Sequence, residues 1–225
     1  MVLDFLFSPT FLKRKLAKLS NSARFFGYLL IGVFLNSCNP PPPQGGPDFS
    51  NLSYIEQIQA YRAYKDSLII EALAPLEGTF LPDETGLSYF PPDSVYRIAA
   101  KYSEFPFKEK VELGTTTHRM ANFRAYGELL FELHDETYRL VGYKSLDYDR
   151  DELFIPFLDE TNGLSSYGGG RYLEIKLPDT SEVILDFNYA YNPYCAYNSE
   201  YSCVVPPKDN HLEVKIEAGE RYVPH

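Results

Sequence analysis

From Tyr89 onward the chain is a succession of short apolar-rich runs separated by turn residues, with no strand–helix alternation. That order constrains the fold more than any other feature. Parallel strands need a crossover of a dozen or more residues between them, usually a helix. A chain without such crossovers pairs its strands antiparallel. The predicted strands are Val95 to Tyr102, Lys110 to Thr116, Asn122 to Leu133, Thr137 to Lys144, Leu153 to Leu158, Arg171 to Leu177, Glu182 to Tyr189 and His211 to Ile216. His134-Asp135-Glu136 closes a hairpin, and Pro178-Asp179-Thr180-Ser181 is a turn. One helix precedes them. Ser53 and Glu56 have the spacing of a capping box, and Ile55, Ile58, Tyr61, Ala63 or Tyr64, and Leu68 recur at helical period as a buried stripe. Arg62, Lys65 and Asp66 are expected to face water, and Pro75 to end the segment. The predicted fold class is mainly β within α+β: an N-terminal helix, then an antiparallel, curved sheet or small barrel.

The first residues read as a targeting segment. Lys13, Arg14, Lys15, Lys18 and Arg24 precede an apolar run from Phe25 to Leu35, the length of a signal core and too short to span a bilayer comfortably. Leu35-Asn36-Ser37-Cys38 follows and resembles a bacterial lipobox, which implies that residues 1–37 are removed and Cys38 is acylated. Asn36 is a mild departure from that pattern. Residues 38–50, rich in proline and glycine, form a tether of largely polyproline II geometry. Residues 51–225 are enough for one globular domain and too few for two. The whole chain carries a net charge of −10, and loss of the basic leader makes the remainder more acidic still. Such a surface argues against nucleic acid and against electrostatic docking on anionic lipid. Membrane attachment is then expected through the acyl chains on Cys38 alone. No acidic run follows the cysteine, which favours the periplasmic face of an outer membrane.

Unusual residues concentrate between Tyr167 and Cys203. Gly168-Gly169-Gly170-Arg171 has the makings of an anion site, with backbone N–H groups and a guanidinium fork. No helix follows, so it is neither a P-loop nor a dinucleotide fingerprint. The competing reading is a glycine-kinked start to a strand, with Arg171 paired to Asp159 or Asp186. Asp186, Asn188 and Asn192 either cap turns or, with Tyr167, Gly168, Gly170, Arg171 and Tyr191, line a site for a polar, ring-shaped ligand such as a sugar. Cys195 and Cys203 are the cysteines left once Cys38 is lipidated. An oxidising compartment favours a disulfide between them. A metal site with His211 and a reactive thiol stay open as alternatives. Asp147, Asp149 and Asp151 have the D-x-D-x-D spacing of a calcium loop but lack its glycine and its final glutamate, so no metal is expected. His118, His134 and His225 read as surface residues, and no G-x-S-x-G elbow is present.

Several strings together resemble a bacterial and archaeal domain of unknown function, family 1684. They are Leu153-Phe154-Ile155-Pro156-Phe157, Tyr167-Gly168-Gly169-Gly170-Arg171-Tyr172-Leu173, the stretch from Asp186 to Tyr197 beginning Asp-Phe-Asn, and Ala218-Gly219-Glu220. The resemblance runs from about Ser53 to Tyr222 and departs mildly at Ser166 and at Val204-Val205. It implies membership and carries no activity. Three function classes remain at the level of sequence. The first is an envelope lipoprotein that binds a ligand or a protein partner around Arg171, Asp186 and Asn188, without a cofactor. The second is a hydrolase with Asp186 as base and Arg171 beside the glycine N–H groups. The third, by fold analogy alone, is a binder of flavin or another phosphate-bearing cofactor.

Overall fold

A computed structural model describes residues 47–73, 76, 79 and 87–222. The leader, Cys38, Pro75 and His225 lie outside the described residues. Helix α1 (Tyr54–Leu73) precedes seven strands: β1 (Arg97–Glu104), β2 (Lys110–Gly114), β3 (Met120–Leu133), β4 (Glu136–Ser145), β5 (Glu152–Phe157), β6 (Arg171–Lys176) and β7 (Glu182–Asp186). The strands form one antiparallel sheet in the order β6-β5-β4-β3-β1-β7, with β2 also paired to β3. The sheet curls into a half-barrel, and the fold is mainly β within α+β.

Local chemistry explains the curl. β3 pairs with β2 through residues 120–124 and with β1 through residues 127–131, with a register shift between Ala125 and Gly127. A bulge there bends the strand and raises its twist. The β3–β4 hairpin turns on His134 (φ 53°) and Asp135 (φ 64°), the paired left-handed conformation of a type I′ turn. Between β4 and β5 the strands diverge, and Tyr143 opposite Phe154 is their paired position. Asn210 fills the gap. Its amide donates to Val141 and Pro156 carbonyls at 2.9 and 2.8 Å, and its side-chain oxygen accepts from Val141 N–H at 2.7 Å. Pro156 has no N–H to give a ladder, so a side chain can stand in for a strand here.

β4 to β6 are buried on both faces. Leu140, Leu153, Ile155, Phe157 and Leu173 face one core with Leu129, Phe131, Leu185 and Phe187. Val141, Tyr143, Phe154 and Tyr172 face a second with Phe123, Cys203 and Val204. Near-continuous apolar runs such as Leu153-Phe154-Ile155-Pro156-Phe157 are what two-sided burial demands.

Three expectations need correction. His211 to Ile216 is not a strand. Leu158 bonds Asn210 O and Leu212 N–H, but Glu160 N–H reaches Val214 O, so the register slips and a ladder does not propagate. Its alternating burial is real, with Leu212 and Ile216 inside. Val95-Tyr96 and Phe187 to Tyr189 are short 3₁₀ turns rather than strand ends. The helix stripe is also displaced. Glu56 does reach back to Ser53 N–H at 2.9 Å. The buried line, however, is Ile58, Arg62, Ile69 and Leu73, while Ile55 is 40% exposed. The helix rests on polar ground, and Arg62, Lys65 and Asp66 point into it.

Candidate functional site

Arg171 is 0% exposed. Tyr167 to Gly170 form a turn closed by Gly170 N–H on Tyr167 O at 3.1 Å. Gly170 sits at φ +92°, where a Cβ would meet Pro206 Cγ at 2.5 Å and Phe157 O at 2.8 Å, so only glycine fits. That kink sends the guanidinium inward. It pairs with Asp159 at 2.6 Å and donates to the Ile216, Ala218 and Glu220 carbonyls. Asp159 also accepts from Thr161 N–H at 2.7 Å. The centre staples the loop after β5 to the C-terminal strip. Its partner is Asp159 and not Asp186, so the expected convergence of Arg171, Asp186 and Asn188 does not occur. Gly170 N–H is taken by Tyr167 O and Arg171 by Asp159 and three carbonyls, so the glycine turn serves as the kinked entry to β6.

Asp186, at the end of β7, is 9% exposed and lines a groove instead. It caps the turn Phe187–Tyr189 by accepting Asn188 N–H at 3.0 Å, and it stands opposite Arg97 in register. Arg97 Nε is 3.9 Å from its carboxylate. Tyr54, in the first turn of α1, donates to both Asp186 oxygens at 3.0 and 3.2 Å. Burial and the Asp186 charge push the Tyr54 phenol well above its ordinary value. These groups, with Gln57, Ser94, Ile184 and Tyr189, line a groove of about 620 Å³. Asn188 lies behind it, fully engaged. Its amide donates to Tyr54 Oη at 3.0 Å and to Asp93 O at 2.7 Å, and its oxygen accepts Asp93 N–H at 2.9 Å. Asn188 is a positioning residue that ties α1 to the turn before β1.

A second polar layer lies under α1. Lys65 pairs with Glu220 at 2.9 Å and sits 3.7 Å above the Tyr191 ring. Glu220 accepts Asn192 N–H at 2.8 Å and the Tyr197 hydroxyl at 2.9 Å. Gly219, at φ +77°, brings Glu220 close: a Cβ there would lie 2.5 Å from Ala190 O. Asn192 is thus part of the scaffold beneath the helix. Tyr191 hydrogen-bonds Glu174, which stands opposite Phe154. Burial first, and Glu152 second, push the Glu174 carboxyl up from 4.5 to about 7. Arg62 donates to Phe90 O at 2.8 Å, and Tyr89 donates to Asp66 at 2.6 Å.

Tyr167 and the cysteines form a third group. Both cysteines are thiols in the structure. Cys195 N–H donates to Cys203 Sγ at 3.2 Å, and the Tyr167 hydroxyl is 3.8 Å from Cys195 Sγ. Hydrogen bonding, first from Cys203 and then from Tyr167, lowers the Cys195 pKa against the opposing effect of burial.

Sequence reading placed Asp186 in the site and missed Tyr54, Gln57, Ser94, Arg97, Ile184 and Tyr189. Only Arg97, opposite Asp186 once β1 and β7 are paired, carried a usable signal.

Comparison with known proteins agrees with this fold and supplies no activity. No curated protein matches the chain. The uncharacterized protein from gene locus rrnAC0354 of Haloarcula marismortui, solved by solution NMR, is 38% identical, with a TM-score of 0.59 over 74% of this chain and 93% of that one. Residues 84–221 match the family described as "Protein of unknown function (DUF1684)". That range holds the whole sheet, the Arg171 centre, Asp186 and both cysteines, and on it the chain belongs to the DUF1684 family.

Proposed function

We propose that this protein is an envelope lipoprotein whose folded domain binds a saccharide in the groove between α1, β1 and β7. The basic-then-apolar leader and the Leu-Asn-Ser-Cys string support acylation at Cys38, with the proline-rich tether holding the domain off the periplasmic face of an outer membrane. Among the described residues no helix is long and apolar enough to cross a membrane. In an oxidising compartment Cys195 and Cys203 close to a disulfide.

One observation carries the ligand reading. The groove sets two tyrosines, Tyr54 and Tyr189, beside the Arg97–Asp186 pair and the Gln57 amide. Aromatic rings with a few convergent polar groups suit a polar ring with hydroxyls on its edge. Titration of the acylated protein in detergent with a panel of oligosaccharides should give saturable heat for at least one member. Arg97→Gln should weaken it about tenfold, the equivalent of losing about 1.4 kcal/mol. Absence of saturable binding across the panel removes the ligand reading. For the anchor, Cys38→Ala should leave an uncleaved precursor without acyl label, and normal processing of that variant contradicts acylation.

A further inference from the structure

We infer that Cys195 and Cys203 are a reversible dithiol–disulfide couple that exchanges with external thiols and disulfides, with Cys195 as the exchanging sulfur. The inference rests on the reading that the two sulfurs close a bond, and it adds that the bond reopens.

The two residues differ in the way an exchange pair must. Cys203 is 0% exposed, whereas Cys195 is partly exposed. Cys203 is fixed by backbone bonds to the turn after β2: its N–H donates to Thr116 Oγ1 at 3.1 Å and its carbonyl accepts Thr116 N–H at 2.9 Å. Cys195 belongs to the short turn Tyr194–Ala196, with its backbone N–H 3.2 Å from Cys203 Sγ. A hydrogen-bond donor faces each sulfur. Tyr167 and Cys203 hydrogen bonds lower the Cys195 pKa and raise its thiolate fraction. Cys195 N–H, 3.2 Å from Cys203 Sγ, stabilises the thiolate that leaves when the disulfide opens. A purely structural bridge needs neither feature.

The chemistry balances in both directions. For oxidation, the Cys195 thiolate attacks one sulfur of an external disulfide, whose S–S bond breaks and releases one thiolate. Cys203 then gives up its proton and attacks Cys195 Sγ. The mixed disulfide breaks, a second thiolate leaves, and the protons lost by Cys195 and Cys203 neutralise the two released thiolates. Two electrons pass from the cysteine pair to the external disulfide. For reduction, an external thiolate attacks the accessible Cys195 Sγ, and Cys203 departs as a thiolate. A second external thiol resolves the mixed disulfide. The substrate class is therefore thiols and disulfides able to reach Cys195.

The test equilibrates the full acylated protein in detergent with glutathione buffers of graded ratio, followed by acid quench, alkylation and mass mapping. The expected result is a Cys195–Cys203 bond that forms in oxidised glutathione and is lost in excess reduced glutathione under native conditions. In the reduced protein Cys195 should alkylate at least about tenfold faster than Cys203 at neutral pH. Cys203→Ser should trap one glutathione on Cys195, and Cys195→Ser should trap none. Failure to form the bond in oxidised glutathione overturns the closure reading itself. A bond that forms and resists excess reduced glutathione makes the pair a fixed staple and overturns reversibility alone. Faster alkylation of Cys203 overturns the role given to Cys195.

Discussion

Arg171 shows how much of this molecule depends on single side chains held in low-dielectric surroundings. A guanidinium with no exposure is tolerable only when most of its donors are matched, and here one carboxylate and three carbonyls take Nη1 and Nη2, while Nε has no partner among the described residues. Lysine supplies charge without the planar fork. Arg171→Lys should therefore lower unfolding stability by about 1 to 3 kcal/mol, read by urea denaturation at neutral pH. Unchanged stability would show that the fork is not what holds the loop after β5 to the C-terminal strip. The pair was half legible in the sequence. An arginine after three glycines, with two candidate aspartates, announced a buried ion pair. The choice of Asp159 over Asp186 was set by where β5 and β7 end, which residue types do not encode.

At the scale of elements, the helix is where sequence reading erred most. Apolar period normally marks the buried face. Here Ile58, Ile69 and Leu73 are buried, but Arg62, Lys65 and Asp66 lie on the same side because the ground beneath offers Glu220, Tyr89 and the Phe90 carbonyl. A charged residue on a helix reads as solvent-facing unless its distant partner is known. The strands were far more legible, since alternation sets their faces locally. β6 adds a titrating group to the layer under α1. Glu174 has its folded value raised to about 7, so between its ordinary 4.5 and that value the native state holds a proton that the unfolded chain has lost. Stability should be fully present below about pH 4.5 as far as this group is concerned, and fall as pH rises towards 7. The loss at Glu174 is about 1 to 3 kcal/mol. Glu174→Gln should flatten that part of the profile in paired denaturation series at graded pH. A wild-type profile no steeper than that of the variant would show that Glu174 does not carry the proton.

Over the whole molecule, the half-barrel leaves one layer of polar contacts inside and one outside. The inner layer, around Arg171, Glu220 and Asn188, orders loops and the helix. The outer one meets solvent where α1, β1 and β7 come together. Composition could point to Asp186 but not to its companions, because Tyr54 lies 132 residues away along the chain. The most direct test of this division is a chemical-shift map of an oligosaccharide titrated into the isotope-labelled acylated protein in micelles. The account predicts saturable shifts at Tyr54, Gln57, Arg97 and Tyr189, with the Arg171 guanidinium signals unmoved. Saturable shifts centred on Tyr167 to Arg171, with the groove residues silent, would contradict it.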